Sequence, residues 1–118
     1  MPVAIKRAYE AANADDGYRV LVDGLWPRGI TKAELKIDAW MKEIAPSTAL
    51  RKSYGHIPEK WEEFRKRYRQ ELRKPPRKAL LAELVERARK ERLTLVFGAR
   101  DAERSNAGVV AEMVQGML

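Results

Sequence analysis

The chain has 118 residues, 45% of them hydrophobic and 35% charged, which fits one globular domain and argues against a disordered chain. It contains no cysteine and one histidine, so disulfides, thiol catalysis and cysteine-based zinc or iron–sulfur sites are excluded. The net charge is +7, and the segment 51–78, with 11 Lys and Arg against 4 Asp and Glu, carries the whole excess. Such a segment favours nucleic acid, nucleotides or acidic partners, and a solvated helix face is the alternative.

No apolar run has the length of a membrane-spanning helix, so we expect no membrane partner. Charged residues such as Lys6, Arg7 and Glu10 interrupt the segment where a signal peptide would need an apolar stretch. We therefore expect a cytoplasmic protein with a single domain over residues 1–118.

The first part of the chain contains two predicted strands and a shaped loop. Alternation of Val3 and Ile5 with charged residues predicts the first strand, and a polar turn over 13–17 follows it. The β-branched run 18–23 predicts the second strand. It leads into 24–29, where two glycines and a proline surround a tryptophan and an arginine, which indicates a shaped loop rather than a linker.

The middle of the chain contains short elements. Thr31 and Glu34 have the spacing of a capping box, which predicts a helical turn. The segment 36–44 fits a strand or a helix equally well. A short helix is expected over 47–54, and Gly55 would close it.

The second half predicts three helices and one strand. Pro58 suits the first turn of a helix whose apolar stripe consists of Trp61, Phe64, Tyr68 and Leu72. Pro75 and Pro76 end that helix, and another is predicted over 77–91. The continuous apolar run 93–97 is typical of a strand covered on both faces, and a last helix begins near Ser105 or Asn106.

Strands that alternate with helices predict an α/β fold, with a small, largely parallel sheet flanked by helices. In such sheets ligands bind beyond the carboxyl ends of the strands. The segments 23–29 and 98–106 each follow a predicted strand, so we expect a ligand pocket between them. No phosphate-binding loop, dinucleotide fingerprint, metal-ligand spacing or nucleophile elbow occurs, which argues against several common enzyme classes.

Several short motifs occur together in an order that resembles one known family. They are Val22-Asp23-Gly24-Leu25-Trp26-Pro27-Arg28-Gly29, Ala45-Pro46-Ser47, Leu50-Arg51, Tyr54-Gly55-His56, Trp61 to Leu72, Leu93-Thr94-Leu95, Arg100-Asp101 and Asn106-Ala107. Over nearly the whole chain this set resembles the YeaO-like family, catalogued as Domain of Unknown Function 488. The resemblance implies a small α/β protein without a settled biochemical activity.

The chain departs from that family's usual pattern at two places. Members usually carry a basic residue at the position of Gly24, and a histidine or asparagine where this chain has Arg104 and Ser105. If these positions bind an anion, Arg104 could replace the charge missing at Gly24. If they transfer protons, this chain would be a weaker catalyst or none.

Asp23 and His56 are the candidate catalytic residues. A carboxylate at the end of a buried strand could act as a general base or hold a ribose hydroxyl; alternatively, it could pair with Arg28 or Arg100. His56 is the only histidine, the residue type most often used as a general acid or base. Its alternative role is structural, because it follows Gly55 and could cap the next helix.

Trp26 and Arg28 flank Pro27 and are candidates for ligand binding. Proline fixes the backbone, so both side chains would be presented rigidly. The indole offers a stacking face for a nucleobase, and the guanidinium offers a bidentate fork for phosphate or carboxylate. Alternatively, Trp26 fills the edge of the core and Arg28 stacks on it.

Four more ligand-binding candidates stand where the last strand leads into the final helix: Arg100, Asp101, Arg104 and Asn106. Backbone N–H groups at a helix start favour an anion, whereas Ser105 or Asn106 could simply be the N-cap. Asp23 with Asp101 would suit a magnesium ion and a phosphate, but both could equally be arginine partners. No metal and no particular cofactor is predicted.

These residues give a first hypothesis, a binding module for a phosphorylated or nucleobase-containing ligand. Trp26 would stack on the ring, while Arg28 and Arg100 would hold the anion. Asp23 or Asp101 would accept a hydroxyl or an amine.

Two other hypotheses come from different classes. The protein could be an enzyme acting on such a ligand, with Asp23 or His56 as acid or base. It could instead be a nucleic-acid-associated protein that uses the basic segment 51–78.

Overall fold

The computed structural model describes residues 2–118 and contains a four-stranded sheet in the order β1-β4-β2-β3, with every pair parallel. The strands are β1 (Val3–Arg7), β2 (Tyr18–Leu21), β3 (Ala39–Trp40) and β4 (Leu93–Phe97). The α-helices are α1 (Lys32–Leu35), α2 (Thr48–Tyr54), α3 (Trp61–Leu72), α4 (Arg77–Lys90) and α5 (Asn106–Met117). The predicted α/β class is confirmed, and the sheet is parallel throughout the described residues.

Strand β4 occupies a central position, and all five of its residues are buried. Leu93, Leu95 and Phe97 point into the larger core, which the sheet shares with α3, α4 and α5. Val96 points to the other face, into a smaller core that includes Leu21 and residues of the loop around α1. Burial on both faces explains why the sequence of this strand does not alternate.

The predicted stripe of α3 is confirmed, since Phe64, Tyr68 and Leu72 are buried and Trp61 packs at the margin. Tyr68 is fully buried, and its hydroxyl donates to the carbonyl of Ile44 at 2.6 Å. This bond ties α3 to the segment that leads into α2.

Two elements differ from their predicted bounds. The ambiguous segment 36–44 contains both a two-residue strand, β3, and a 3₁₀ turn over Lys42–Ile44. Strand β2 ends at Leu21 rather than at residue 23. The N–H of Val22 still donates to Val96, but the carbonyl of Val22 accepts the side-chain amide of Asn106 at 3.0 Å, so a side chain ends the ladder.

The basic surface of α3 is partly neutralised. The cations Arg65, Lys66, Arg69 and Arg73 avoid the apolar stripe of α3, and this spacing predicts that they are exposed. Lys66 and Arg73 are exposed. Arg65 and Arg69 are only partly so, because their side chains are 29% and 33% accessible and both bind Glu112 of α5. The N···O distances are 2.7 and 2.8 Å. Packing of α5 against this face therefore neutralises charge that the sequence alone leaves free.

A buried ion cluster holds the turn before β2. Asp16 accepts Lys6 Nζ at 3.0 Å and Arg19 Nη1 at 2.7 Å. Arg19 is itself buried, and it also donates to the carbonyls of Leu35 and Lys36. The cluster thus joins β1, the turn, β2 and the end of α1.

Gly17 is required beside this cluster. Its φ is +67°, and a Cβ atom there would lie 2.2 Å from the carbonyl oxygen of Arg92, which accepts the N–H of Tyr18. We expect Gly17→Ala to lower the free energy of unfolding by about 2 kcal/mol or more, since strain and a backbone clash add. Urea denaturation would measure this. Gly116→Ala, where a Cβ meets nothing within 4 Å, is the control, and equal stability losses would contradict the prediction.

Candidate functional site

A cavity of about 330 Å³ opens at the carboxyl edge of the sheet, next to the ends of β2 and β4. Its walls come from the segment after β2, from α2 and the turn that follows it, and from the start of α5. The lining includes four of the predicted site residues: Asp23, His56, Arg104 and Asn106. It also includes residues not predicted as site residues, among them Arg51, Tyr54 and Phe64.

Asp23 forms the polar floor of this cavity. Its Oδ2 accepts the N–H of Gly98 at 2.8 Å, and its carbonyl accepts the indole N–H of Trp40 at 2.8 Å. Burial raises the pKa of Asp23, while the N–H of Gly98, the amide of Asn106 and the charge of Arg51 act in the opposite direction. No ion pair among residues 2–118 joins Asp23 to Arg28 or Arg100, so the expected structural pairing is absent from this part of the chain.

Arg51 supplies one positive charge to the cavity. It lies on α2, and its Nη1 is 4.0 Å from the position that a Cβ of Gly24 would take. Its Nη2 donates to the hydroxyl of Thr48 at 3.3 Å. A Cβ at position 24 would thus be in ordinary van der Waals contact with the guanidinium, which places Arg51 beside Gly24. In the sequence Arg51 belongs to the Leu50-Arg51 motif and is one of many cations in the basic segment, but nothing in its spacing links it to Gly24.

Arg104 supplies a second positive charge, from the 3₁₀ turn that precedes α5. It pairs with Asp101 at 2.8 Å, and both side chains are more than 40% exposed. The hydrogen bond from Arg104 is the main reason that the pKa of Asp101 lies below its usual value. Asp101 also accepts the N–H groups of Glu103 and Arg104, which makes it the cap of the 3₁₀ turn before α5. Asp101 is not among the lining residues, so the structure does not bring it to Asp23 as a metal-binding pair would require.

Aromatic rings form the apolar wall. The ring centroids of Tyr54 and Phe64 are 4.7 Å apart, and the Tyr54 and His56 rings are 5.7 Å apart. Burial raises the pKa of Tyr54, and the positive charge of Arg104 lowers it in part. His56 is exposed at the rim with φ at +57°, a conformation uncommon for residues other than glycine. It caps no helix, because the 3₁₀ turn over Pro58–Lys60 has no side-chain cap.

Asn106 begins α5 and points to the floor. Its side-chain amide donates to Val22, whereas the N-cap role falls to Ser105, whose Oγ accepts the N–H of Gly108 at 3.2 Å. The open choice between the two capping residues is settled in favour of Ser105. Asn106 is therefore free of a capping role and instead fixes the end of β2.

Trp26, Arg28 and Arg100 lie outside the cavity lining. The indole N–H of Trp26 donates to Ile30 at 2.7 Å, and the ring packs edge-to-face on Trp40 within the margin of the smaller core. This matches the alternative in which Trp26 fills the edge of the core. The side chains of Arg28 and Arg100 are exposed. The predicted pocket between 23–29 and 98–106 is thus bounded by only parts of both segments, and α2 supplies the remaining wall.

These features define a small parallel α/β protein with an arginine-flanked, aromatic-walled pocket at the carboxyl edge of its sheet. Within residues 2–118, no group of three or more His, Cys, Asp or Glu could hold a metal ion. In the same residues, no helix combines the length and apolar character needed to cross a membrane.

Comparison with known sequences identifies the family. A family model described as the inactive DUF488-N3 subclade matches residues 2–118, and the chain belongs to that family. An uncharacterised protein of Mycobacterium tuberculosis is 42% identical over 114 residues, which cover 97% of this chain and 94% of the relative. The uncharacterised protein YeaO of Escherichia coli is 39% identical over 117 residues, covering 99% of this chain and all of YeaO. No solved structure matches. The resemblance drawn from the motifs is therefore confirmed.

Proposed function

We propose that this protein binds a small ligand that combines a ring with a phosphate or another anionic group, in the cavity at the carboxyl edge. The observation that carries the proposal is the placement of Arg51 and Arg104 around one aromatic-walled cavity. A volume of about 330 Å³ is in the range of small-molecule sites, which are mostly apolar with a few placed polar groups.

The two arginines favour an anion for different reasons. None of the ion pairs within residues 2–118 includes Arg51, so its charge is available to a ligand. Arg104 already has Asp101 as partner, but an exposed ion pair contributes little and can be exchanged. A guanidinium binds phosphate or carboxylate through paired, charge-assisted hydrogen bonds, which are the strong ones.

The remaining lining favours a ring with a polar edge. Tyr54 and Phe64 contribute apolar, aromatic lining, which suits an aromatic or nucleobase ring. The carboxylate of Asp23 is a hydrogen-bond acceptor on the floor, so it would take an amine or a hydroxyl of the ligand. A nucleoside monophosphate is one compound class with all three properties.

Binding without turnover is favoured over catalysis. An enzyme would use Asp23 or His56 as acid or base, and both line the cavity. Asp23, however, is held by the N–H of Gly98, and His56 lies exposed at the rim. The matching family model is described as an inactive subclade, which disfavours catalysis.

A thermal-shift experiment tests the proposal with inorganic phosphate, the four common ribonucleoside monophosphates and the matching nucleosides. We expect at least one monophosphate to raise the melting temperature more than its nucleoside does. Arg51→Ala should weaken that binding by roughly tenfold to a hundredfold, the scale of a lost hydrogen bond to a charged group. Arg51→Lys should restore only part of it, since lysine lacks the planar fork.

Arg73→Ala is the matched control, because Arg73 is an exposed arginine outside the cavity. It should keep the full shift. A chain that no probe stabilises, or an Arg73→Ala variant that loses binding as Arg51→Ala does, would overturn the assignment of the cavity.

A further inference from the structure

A second basic feature lies on the same edge of the sheet, and contacts connect the segments that carry it. Arg7, the last residue of β1, donates through Nε to the carbonyl of Ala99 at 2.9 Å, next to Arg100. The guanidinium carbon of Arg7 also stands 5.2 Å from the centre of the Tyr9 ring. The Tyr9 hydroxyl donates to the carbonyl of Arg28 at 3.0 Å. These contacts join Arg7 and Tyr9 to each other, to the main chain of Arg28 and to Ala99, the residue before Arg100. We call Arg7, Tyr9, Arg28 and Arg100 the carboxyl-edge strip.

The charges of this strip are unneutralised. No ion pair among residues 2–118 includes Arg7, Arg28 or Arg100. This contrasts with α3, where Arg65 and Arg69 share Glu112. Composition places the excess charge in 51–78, but the structure leaves a second set of arginines without carboxylate partners at the strand ends.

The strip also contains an exposed aromatic ring, which lies beside the guanidinium of Arg7. Tyr9 is 50% exposed, and its hydroxyl bond to Arg28 together with the nearby Arg7 fixes the direction of the ring. Proteins that bind single-stranded nucleic acid combine a basic track for the phosphates with aromatic faces on which bases stack. A base inside a duplex is already stacked and could not use such a face, so the ring favours a single strand.

We propose that the carboxyl-edge strip binds single-stranded nucleic acid, with Arg28 and Arg100 on the phosphates and Tyr9 under a base. Ala99, which Arg7 contacts, also lines the cavity, so the strip borders the small-ligand pocket. The proposal does not require that the pocket be occupied.

Fluorescence anisotropy tests this proposal. The probes are labelled oligonucleotides of about 12 nucleotides, which is near the site size of small proteins that bind single strands. We expect the double variant Arg28→Glu with Arg100→Glu to bind at least tenfold more weakly. In this variant the plot of log affinity against log salt should also be less steep, by about 0.7 for each phosphate that the variant no longer neutralises. Tyr9→Leu should weaken binding about fivefold or more, whereas Tyr9→Phe, which keeps the ring, should bind nearly as well as the wild type.

The matched control is Lys66→Glu with Lys74→Glu, an equal charge change on exposed residues of the basic segment. It should leave affinity and salt slope nearly unchanged. The proposal is overturned if this control loses as much binding as the strip variant, if a duplex binds as tightly as the single strand, or if the wild type shows no binding at low salt. Shifts by nucleoside monophosphates should survive in the strip variant, so failure of the strip and failure of the pocket are distinguishable.

Discussion

Val96→Asp is expected to abolish folding. Val96 is fully buried on the central strand and packs in the smaller core with Ala8, Leu21 and Leu35. Arg19 and Lys6 are already bound to Asp16, so neither cation is available to pair with a carboxylate at position 96. Burying an unpaired charge costs more than about 4 kcal/mol, which is a large part of the roughly 5–15 kcal/mol that stabilises a domain of ordinary size.

Circular dichroism and urea denaturation measure the effect. Leu25→Asp introduces the same side chain at a leucine that is 71% exposed, and it should leave the free energy of unfolding within about 0.5 kcal/mol of the wild type. A Val96→Asp protein with the wild-type melting curve would show that β4 is not buried on both faces.

Asp16→Asn is expected to have the second largest effect, about 3–5 kcal/mol of lost stability, because removing one partner of a buried ion pair leaves the other charge buried and uncompensated. In this case the guanidinium of Arg19 and the ammonium of Lys6 would both lose their carboxylate. Urea denaturation at neutral pH measures the loss. Asp15→Asn, on the exposed neighbouring residue, is the control and should change stability little.

The same cluster gives a pH dependence with a defined sign. Burial alone would raise the pKa of Asp16, but hydrogen bonds from Asn13, Lys6 and Arg19 hold it below the ordinary value of 3.8. A carboxylate with a lowered pKa in the folded state stabilises the protein fully above 3.8, and this stabilisation is lost as the pH falls through the folded pKa.

Urea midpoints measured from neutral pH down to about pH 2, below the ordinary carboxyl pKa values, should therefore converge for the wild type and Asp16→Asn at the acid end. The Asp15→Asn control should run parallel to the wild type. A difference between wild type and Asp16→Asn that stays constant over the whole range would show that ionisation of Asp16 does not stabilise the fold.

The fold can be predicted from the sequence because its main signals are local. The continuous apolar run of β4 and the three-and-four spacing on α3 each indicate which faces are covered. The segment 36–44 cannot be assigned in this way because β3 has only two residues, too few to show a period. The pairing of Arg65 and Arg69 with Glu112 cannot be predicted from the sequence either, because it depends on how α5 packs against α3.

The site is harder to predict, for a related reason. Asp23 and Asn106 follow or begin elements at the carboxyl edge, so topology alone brings them together. Arg51 comes from α2, which follows no strand end directly, and only the packing of that helix brings it to Gly24. The sequence around Trp26 predicts a rigid loop, which would suit stacking on a ligand. A tryptophan that fills the edge of a core is held by an equally rigid loop, so the sequence does not distinguish the two roles.

The position of β4 has a consequence for the order in which the chain can fold. Val3 pairs with Leu93, and Tyr18 pairs with Leu93 from the other side, so the strand synthesised last joins the two synthesised earlier. Until β4 leaves the ribosome, β1 has no neighbour within the sheet, and both apolar cores lack the residues of the central strand. The long segment between β2 and β4 must close before the pairing of β4 stabilises the sheet. We therefore expect slow and cooperative folding that awaits β4, rather than stepwise folding from the N-terminus. Until β4 is synthesised, β1 and the edge of β2 that pairs with β4 would therefore remain exposed to other chains and to chaperones.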